Sequence, residues 1–255
     1  MDVTRLTTFI ICWYFLKRTV DALTLEESEE EEPTDLTLMG YNMKEIPFGT
    51  HSLISSNFAY NRIQNLVAYE LYRKYYKNLE ILILGHNLLS SIHLDTFREI
   101  RQLKRLDLSF NNLTSLEPNT FRYNTRLEKL DLTFNNISFD QERPFLKSLS
   151  IKTLLLSHNE ITHVFDISFA KIPNLEMLLL DGNPLFYVSK RCFAYLHRLE
   201  YVNLAHTNVY RLVGSMFTVV PRLVDLTETN LAKKFEPPLR KVRSNQLIML
   251  INIDG

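Results

Sequence analysis

Residues 103–121 read LKRLDLSFNNLTSLEPNTF, and the spacing of Leu103, Leu106, Leu108, Asn111, Leu113, Leu116 and Phe121 decides the fold because it recurs on both sides. The period is 24 residues. With Leu103 as position 1, that position also falls on Leu79, Leu127, Ile151, Leu175, Leu199 and Leu223, with no insertion or deletion between them. Position 4 holds Leu82, Leu106, Leu130, Leu154, Leu178 and Val202, and position 6 holds Leu84, Leu108, Leu132, Leu156, Leu180 and Leu204. Position 9 is Asn87, Asn111, Asn135, Asn159 and Asn183, then Thr207. Position 19 is always phenylalanine: Phe97, Phe121, Phe145, Phe169, Phe193 and Phe217. A fixed period of this length marks a repeat architecture, in which each unit buries its apolar face only against its neighbours.

Positions 4 and 6 are two apart, so in an extended segment both side chains leave one face while positions 3, 5 and 7 leave the other. Each unit therefore holds one short strand. Returning to the same place every turn stacks these strands in parallel, about 4.8 Å apart, and merges their leucines into a continuous core. The asparagine column follows the strand, where the backbone turns inward. A short amide there can both donate to and accept from buried peptide groups of adjoining turns, whereas leucine would leave them unpaired. The phenylalanine column fills the far side of each coil, where a flat ring can stack on the same ring one repeat away.

The pattern L-x-x-L-x-L-x-x-N-x-L with phenylalanine at position 19 resembles the extracellular leucine-rich repeat family, in the 24-residue form found in Toll-, slit- and chaoptin-type ectodomains. The match covers about Leu53 to Leu223. The resemblance implies an α/β solenoid: a curved horseshoe with a parallel β-sheet on the concave face and irregular or short helical segments on the convex face. It also implies binding on the concave face, in adhesion, receptor-type signalling or innate immunity.

Twenty-nine basic and twenty-nine acidic residues cancel, so the basic excess of a nucleic-acid binder is missing. Arg5 precedes an apolar run from Leu6 to Leu16, and Val20, Asp21 and Ala22 offer a cleavage site after Ala22, so residues 1–22 read as a signal peptide. The alternative is a buried N-terminal element, and Lys17-Arg18 directly after the run fits a signal poorly. Cys12 lies in this segment, which leaves Cys192 alone in the mature chain, without an internal disulfide. Cys192 is expected as a small buried filler. The sequons at Asn112 and Asn136 both sit at position 10, just past the asparagine column, and agree with secretion and glycosylation.

Residues 23–35 form an acidic, solvated leader dominated by Glu26 to Glu32. Residues 36–52, with Leu36, Leu38, Met43, Ile46 and Pro47, are similar to the N-terminal cap of the family, although its usual cysteines are missing. Repeats occupy 53–222, one degenerate unit with Ser56 in a leucine position and then six regular ones. The helical-looking segment Val67 to Tyr76 is expected on the convex side. Asp140 replaces the apolar residue at position 14, with Phe139 placed to turn inward instead. Counted from Leu223, the next unit has Glu228 at position 6, so the stack is expected to end there, and 223–255 is read as a degenerate last repeat and C-terminal cap. Leu247 to Ile253 is too short to span a bilayer. It either seals the last coil or belongs to a longer chain.

Outward strand positions define the candidate site. Position 3 reads Ile81, Arg105, Lys129, Thr153, Met177 and Tyr201, and position 5 reads Ile83, Asp107, Asp131, Leu155, Leu179 and Asn203. A charged band is thus followed by an apolar one, and aromatic, methionine and arginine side chains are what anchor protein interfaces. The predicted ligand-binding residues are Arg105, Lys129, Thr153, Leu155, Met177, Leu179 and Tyr201. The alternative is a strand face that carries these residues without a ligand. The position 8 column of His86, Phe110, Phe134, His158, Gly182 and His206 reads as family filler. Its histidines lie about 14 and 10 Å apart at strand spacing, too far for one zinc ion with bonds of about 2 Å. Asp107 and Asp131 are close enough to pair, yet Arg105 and Lys129 beside them favour two ionised carboxylates. No phosphate loop or nucleophile elbow appears. The expectation is a secreted, non-enzymatic binder of a protein or glycoprotein, with no cofactor, metal or nucleic acid. Two other readings stay open: a truncated ectodomain of a membrane-anchored receptor, and an intracellular scaffold.

Overall fold

In the computed structural model, which describes residues 32–253 (side chains to 250), every strand turns its position 4 residue inward and holds positions 3 and 5 at the surface or half buried, apart from the buried Asp225. The predicted signal peptide, Cys12 and most of the acidic run lie outside the described residues. Nine three-residue strands stack in parallel: Asp35–Thr37, Ser55–Asn57, Ile81–Ile83, Arg105–Asp107, Lys129–Asp131, Thr153–Leu155, Met177–Leu179, Tyr201–Asn203 and Leu223–Asp225. Lys241–Arg243 joins as a tenth, antiparallel strand on the C-terminal edge. Leu82, Leu106 and Leu130 are direct register neighbours, each at most 1% exposed, so their column is continuous across the sheet. The chain is a solenoid of stacked coils with its parallel sheet on one face, the arrangement the leucine-rich repeat resemblance implies. Its far side carries only short elements: two-residue pairs such as Asn65–Leu66 with Ser91–Ile92, the one-turn helix Glu70–Arg73, and irregular turns.

The buried amides hold successive coils in register. Asn135 Nδ2 donates to the Leu132 carbonyl of its own turn at 3.1 Å and to Leu108 of the preceding turn at 2.9 Å. Its Oδ1 accepts the Leu113 N–H at 3.0 Å. Asn87, Asn111, Asn159 and Asn183 repeat this pattern. Thr207 keeps only the bond to its own turn, Oγ1 to the Leu204 carbonyl at 2.6 Å, because its side chain is too short for the preceding coil.

The phenylalanine column stacks as expected at both ends, with Phe97 on Phe121 at 5.5 Å, Phe169 on Phe193 at 6.0 Å and Phe193 on Phe217 at 5.4 Å. Phe139 turns inward in place of Asp140. It meets Phe145 at 5.0 Å and Phe169 edge-on at 5.3 Å, wedged between two rings of the column.

The two terminal coils depart from the sequence reading. Leu223 pairs with Tyr201 and Val224 with Val202, so Leu223 occupies position 3, and the last period is 22 residues. Pro221 is buried at position 1, Val224 and Leu226 fill positions 4 and 6 with no exposure, and Glu228 moves to an exposed position 8. The stack therefore runs through this unit and does not end at Glu228. Phe217 still stacks on Phe193, which places the missing two residues in the return segment between Phe217 and Pro221. At the other end, Asp35 begins a strand that pairs with Ser55–Asn57, so Leu36 and Leu38 are positions 4 and 6 of a full first coil. The acidic leader thus overlaps the first strand at Asp35. After Lys241–Arg243 comes the helix Ser244–Ile253, whose Leu247 is fully buried and whose Leu250 packs on the core, sealing the last coil.

Candidate binding face on the concave sheet

Because register between coils is fixed, the outward residues of successive strands become lateral neighbours. Arg105 is opposite Lys129, Lys129 opposite Thr153, Thr153 opposite Met177 and Met177 opposite Tyr201, while Leu155 lies opposite Leu179. All seven predicted residues thus share one face of five adjacent strands, a width of about 19 Å at strand spacing. Arg105, Lys129 and Met177 are exposed, and Thr153, Leu155, Leu179 and Tyr201 are half buried.

Two devices shape the electrostatics. Asp107 Oδ1 accepts the Ser109 N–H at 2.9 Å and Asp131 Oδ1 the Thr133 N–H at 3.0 Å, which fixes each carboxylate at its strand end beside Arg105 and Lys129. The result is two parallel stripes, Arg105 beside Lys129 along position 3 and Asp107 beside Asp131 along position 5. Along position 2, Lys104 pairs with Glu80 at 2.7 Å and Lys152 with Glu128 at 2.8 Å, each across one coil. The hydrogen bond from Lys152, reinforced by its charge and by Lys104 and Arg105, holds the Glu128 carboxyl below its usual range. The same bond raises the Lys152 ammonium. At the apolar end, partial burial pushes the Tyr201 phenol up, with Asp225 and Asp181 adding to the shift. The phenol therefore stays a neutral donor at physiological pH.

Position 8 is more than filler. Tyr60, His86, Phe110, Phe134 and His158 form one unbroken stack, with centroids 4.1, 4.0, 4.3 and 4.3 Å apart and neighbouring planes within 16°. Each rung has a left-handed backbone, φ between 52° and 57°, a conformation that disfavours large side chains. Ring stacking, worth about 0.5 to 1.5 kcal/mol per pair, offsets that strain. Tyr60 is 55% exposed and Phe110 and Phe134 are 41% exposed, so the stack presents an aromatic edge beside the concave sheet. The recurrence of rings in every second-to-sixth coil was the sequence signal for it; their exposure and mutual contact were not readable from spacing.

Asn112 and Asn136 are exposed at position 10. Cys192 is free, 1% exposed, and burial raises its thiol well above the ordinary value, with Asp166 contributing. Among the described residues no group of three or more His, Cys, Asp or Glu could hold a metal ion, and no helix is long and apolar enough to cross a membrane.

Comparison with known proteins agrees with this geometry. The leucine rich repeat family profile matches residues 77–137, 125–185 and 150–209, together just over half of the chain. The chain belongs to the leucine-rich repeat family. No match is found among curated proteins. Among solved structures, it is similar to a chain of the octameric complex of Latrophilin 3, Unc5D and the leucine-rich repeat domain of FLRT2, with 20% identity, a TM-score of 0.63 and coverage of 80% of this chain and 67% of the other. That likeness concerns the fold.

Proposed function

We propose that this protein is a secreted recognition module that binds a protein or glycoprotein on its concave face through Arg105, Lys129, Thr153, Leu155, Met177, Leu179 and Tyr201. The supporting observation is the lateral register that gathers these residues on five adjacent strands, cationic at one end and apolar at the other. A partner that fits carries acidic groups to meet the Arg105–Lys129 stripe and an apolar side chain to cover Leu155, Met177 and Leu179. The solved structure it resembles is itself a multiprotein complex, which is in keeping with a protein partner. Adhesion, receptor-type signalling and innate immunity are the settings such a module serves.

Two measurements test this reading. Expression of the full chain in secretory cells is expected to release protein that begins near Leu23 and loses mass on glycosidase treatment, through Asn112 and Asn136. Retention in the cell with Met1 in place and no change in mass would refute secretion. For the face, binding is screened against purified cell-surface ectodomains, and the hit is remeasured with Arg105→Glu plus Lys129→Glu and with Met177→Ala plus Tyr201→Ala. Each pair is expected to weaken binding by at least about tenfold; unchanged affinity in both would move the site elsewhere.

A further inference from the structure

Position 22 of the repeat holds the buried apolar residues Ile100, Ile172 and Leu196, yet two consecutive coils place Asn124 and Ser148 there. A cavity of about 350 Å³ opens beside these two, at the break in the phenylalanine column where Phe121 stacks on Phe97 and Phe145 meets Phe139. Arg122, Lys147 and Lys171, all exposed, line it, one from each of three successive coils. Asn124 lines it from the interior. Its Nδ2 donates to the Phe97 and Ile100 carbonyls of the preceding coil at 3.0 and 2.7 Å, and its buried Oδ1 has no partner among the described residues. Ser150 Oγ donates to the Asn124 carbonyl at 3.2 Å and lies 3.1 Å from Ser148 Oγ, so these hydroxyls are engaged locally and the charge of the cavity is that of its cations.

Those cations have no carboxylate. The stretches 118–127, 143–152 and 167–175, which supply the lining, contain six basic residues and no acidic one. Arg143 is held by Glu117 and Asp140, and Lys152 by Glu128, which leaves Arg122, Arg126, Lys147 and Lys171 without an ion pair among the described residues. Of the acids just outside, Asp166 accepts from the Ser189 hydroxyl and the Arg191 N–H, and Glu142 and Glu176 pair with none of the four. The Arg122 guanidinium rests over the Tyr123 ring, 4.7 Å from its centre. A cleft lined by one sign of charge concentrates counter-ions.

We propose that this cavity is a site for a sulfated polysaccharide, with one sulfate ester between Lys147 and Lys171 and the chain continuing past Arg122. The three cations span two coil spacings, about 10 Å, wider than one tetrahedral oxyanion, so the ligand carries several such groups along an extended chain. The rest of the lining is mainly hydroxyl and amide, from Asn124, Thr125, Ser148 and Ser150, and these groups exchange hydrogen bonds with sugar hydroxyls. Leu149 is the one exposed apolar side chain in it, so the aromatic anchors of a peptide site are missing. The cavity lies on the return side, away from the seven strand residues, and stands or falls independently of them.

The test measures a fluorescein-labelled, heparin-derived octasaccharide by anisotropy on the full chain at about 0.1 M salt, beside the same octasaccharide stripped of its sulfates and a singly phosphorylated peptide. The sulfated form is expected to bind at least about tenfold more tightly than either. Lys147→Gln plus Lys171→Gln should weaken it by at least about tenfold, through the loss of two charge-assisted hydrogen bonds. Lys44→Gln plus Arg62→Gln removes the same charge from exposed sites on the N-terminal coils and should change affinity by less than about twofold. Ser148→Ile keeps every cation, restores the apolar side chain of the column and fills the cavity, so it should weaken binding as well. Each variant is compared at unchanged circular dichroism. Equal weakening by the two double variants, which diffuse charge would give, overturns the proposal. So do unchanged affinity in Ser148→Ile, binding of the desulfated octasaccharide or the phosphopeptide as tight as that of the sulfated form, or no binding of the sulfated form at all.

Discussion

Replacing Asn135 with leucine tests the claim that buried amides, rather than apolar contact alone, hold one coil to the next. The side chain is 5% exposed and serves three backbone groups: the Leu113 N–H and the Leu108 and Leu132 carbonyls. Leucine has the same branched outline but bulkier ends, so it overfills the site, orphans the Leu113 N–H and removes one of two amide donors from each carbonyl, since Leu108 still accepts from Asn111 and Leu132 from Asn159. At about 1 to 3 kcal/mol for the orphaned N–H and about 0.5 to 1.5 kcal/mol for each of the two lost carbonyl bonds, with the gain from burying leucine offset by overpacking of about 1 to 3 kcal/mol, the net loss is about 2 to 6 kcal/mol. Asn135→Thr should fall below this, because a hydroxyl can keep the bond to the turn's own carbonyl, as Thr207 does on Leu204. Urea unfolding followed by far-UV circular dichroism gives both values. Hydrogen exchange at the Leu113 amide gives the local effect, which should be faster in either variant. A leucine variant within about 1 kcal/mol of wild type, or a threonine variant less stable than the leucine one, would refute the reasoning.

Other outcomes follow from single contacts. Phe134→Ala removes two stacked neighbours, at 4.3 Å on each side, and should lower stability by about 1 to 3 kcal/mol in thermal or urea unfolding. Tyr76 and Ser56 are fully buried with hydroxyls that have no partner, so Tyr76→Phe and Ser56→Ala should each be neutral or stabilising by up to about 1 to 3 kcal/mol in the same assay. Because the Glu128 carboxyl is lowered on folding, its contribution is present above the unfolded value, about 4.3, and is lost as pH falls through the lower folded value. Glu128→Gln should therefore reduce stability slightly at neutral pH and progressively less as pH falls through the lowered folded value, with the difference fading in high salt. The buried Cys192 thiol should resist iodoacetamide in the folded protein and react once urea unfolds it.

The repeat was legible because its positions answer to different physical demands. Leu106 and Leu108 must point inward together, Asn111 must satisfy peptide groups of two turns, and Phe121 must fill the return side. Phe139 could be assigned to the interior because Asp140 could not go there unpaired. The terminal coils were harder, since a strict count of 24 was allowed to override the local pattern. LVDLTETNL at 223–231 aligns with YVNLAHTNV at 201–209, and both end their strand with a side chain that accepts an N–H two residues on, Asp225 for Thr227 and Asn203 for Ala205. Local chemistry was therefore a better guide than arithmetic there. The seven concave residues were placed together from strand parity alone. The stack from Tyr60 to His158 was not, because whether exposed rings in one column touch depends on backbone twist and side-chain angle, neither of which periodicity encodes.

The reversed strand Lys241–Arg243 has a consequence for the molecule in company. A pile of coils can be lengthened in kind only by a neighbour running the same way, and here the terminal rail is laid backwards, carries a cation at each end and is followed by a helix folded underneath it. A second copy arriving tail first finds no template to continue. The reversed direction of the strand, its flanking charges and the helix beneath it blunt this edge against like-for-like extension.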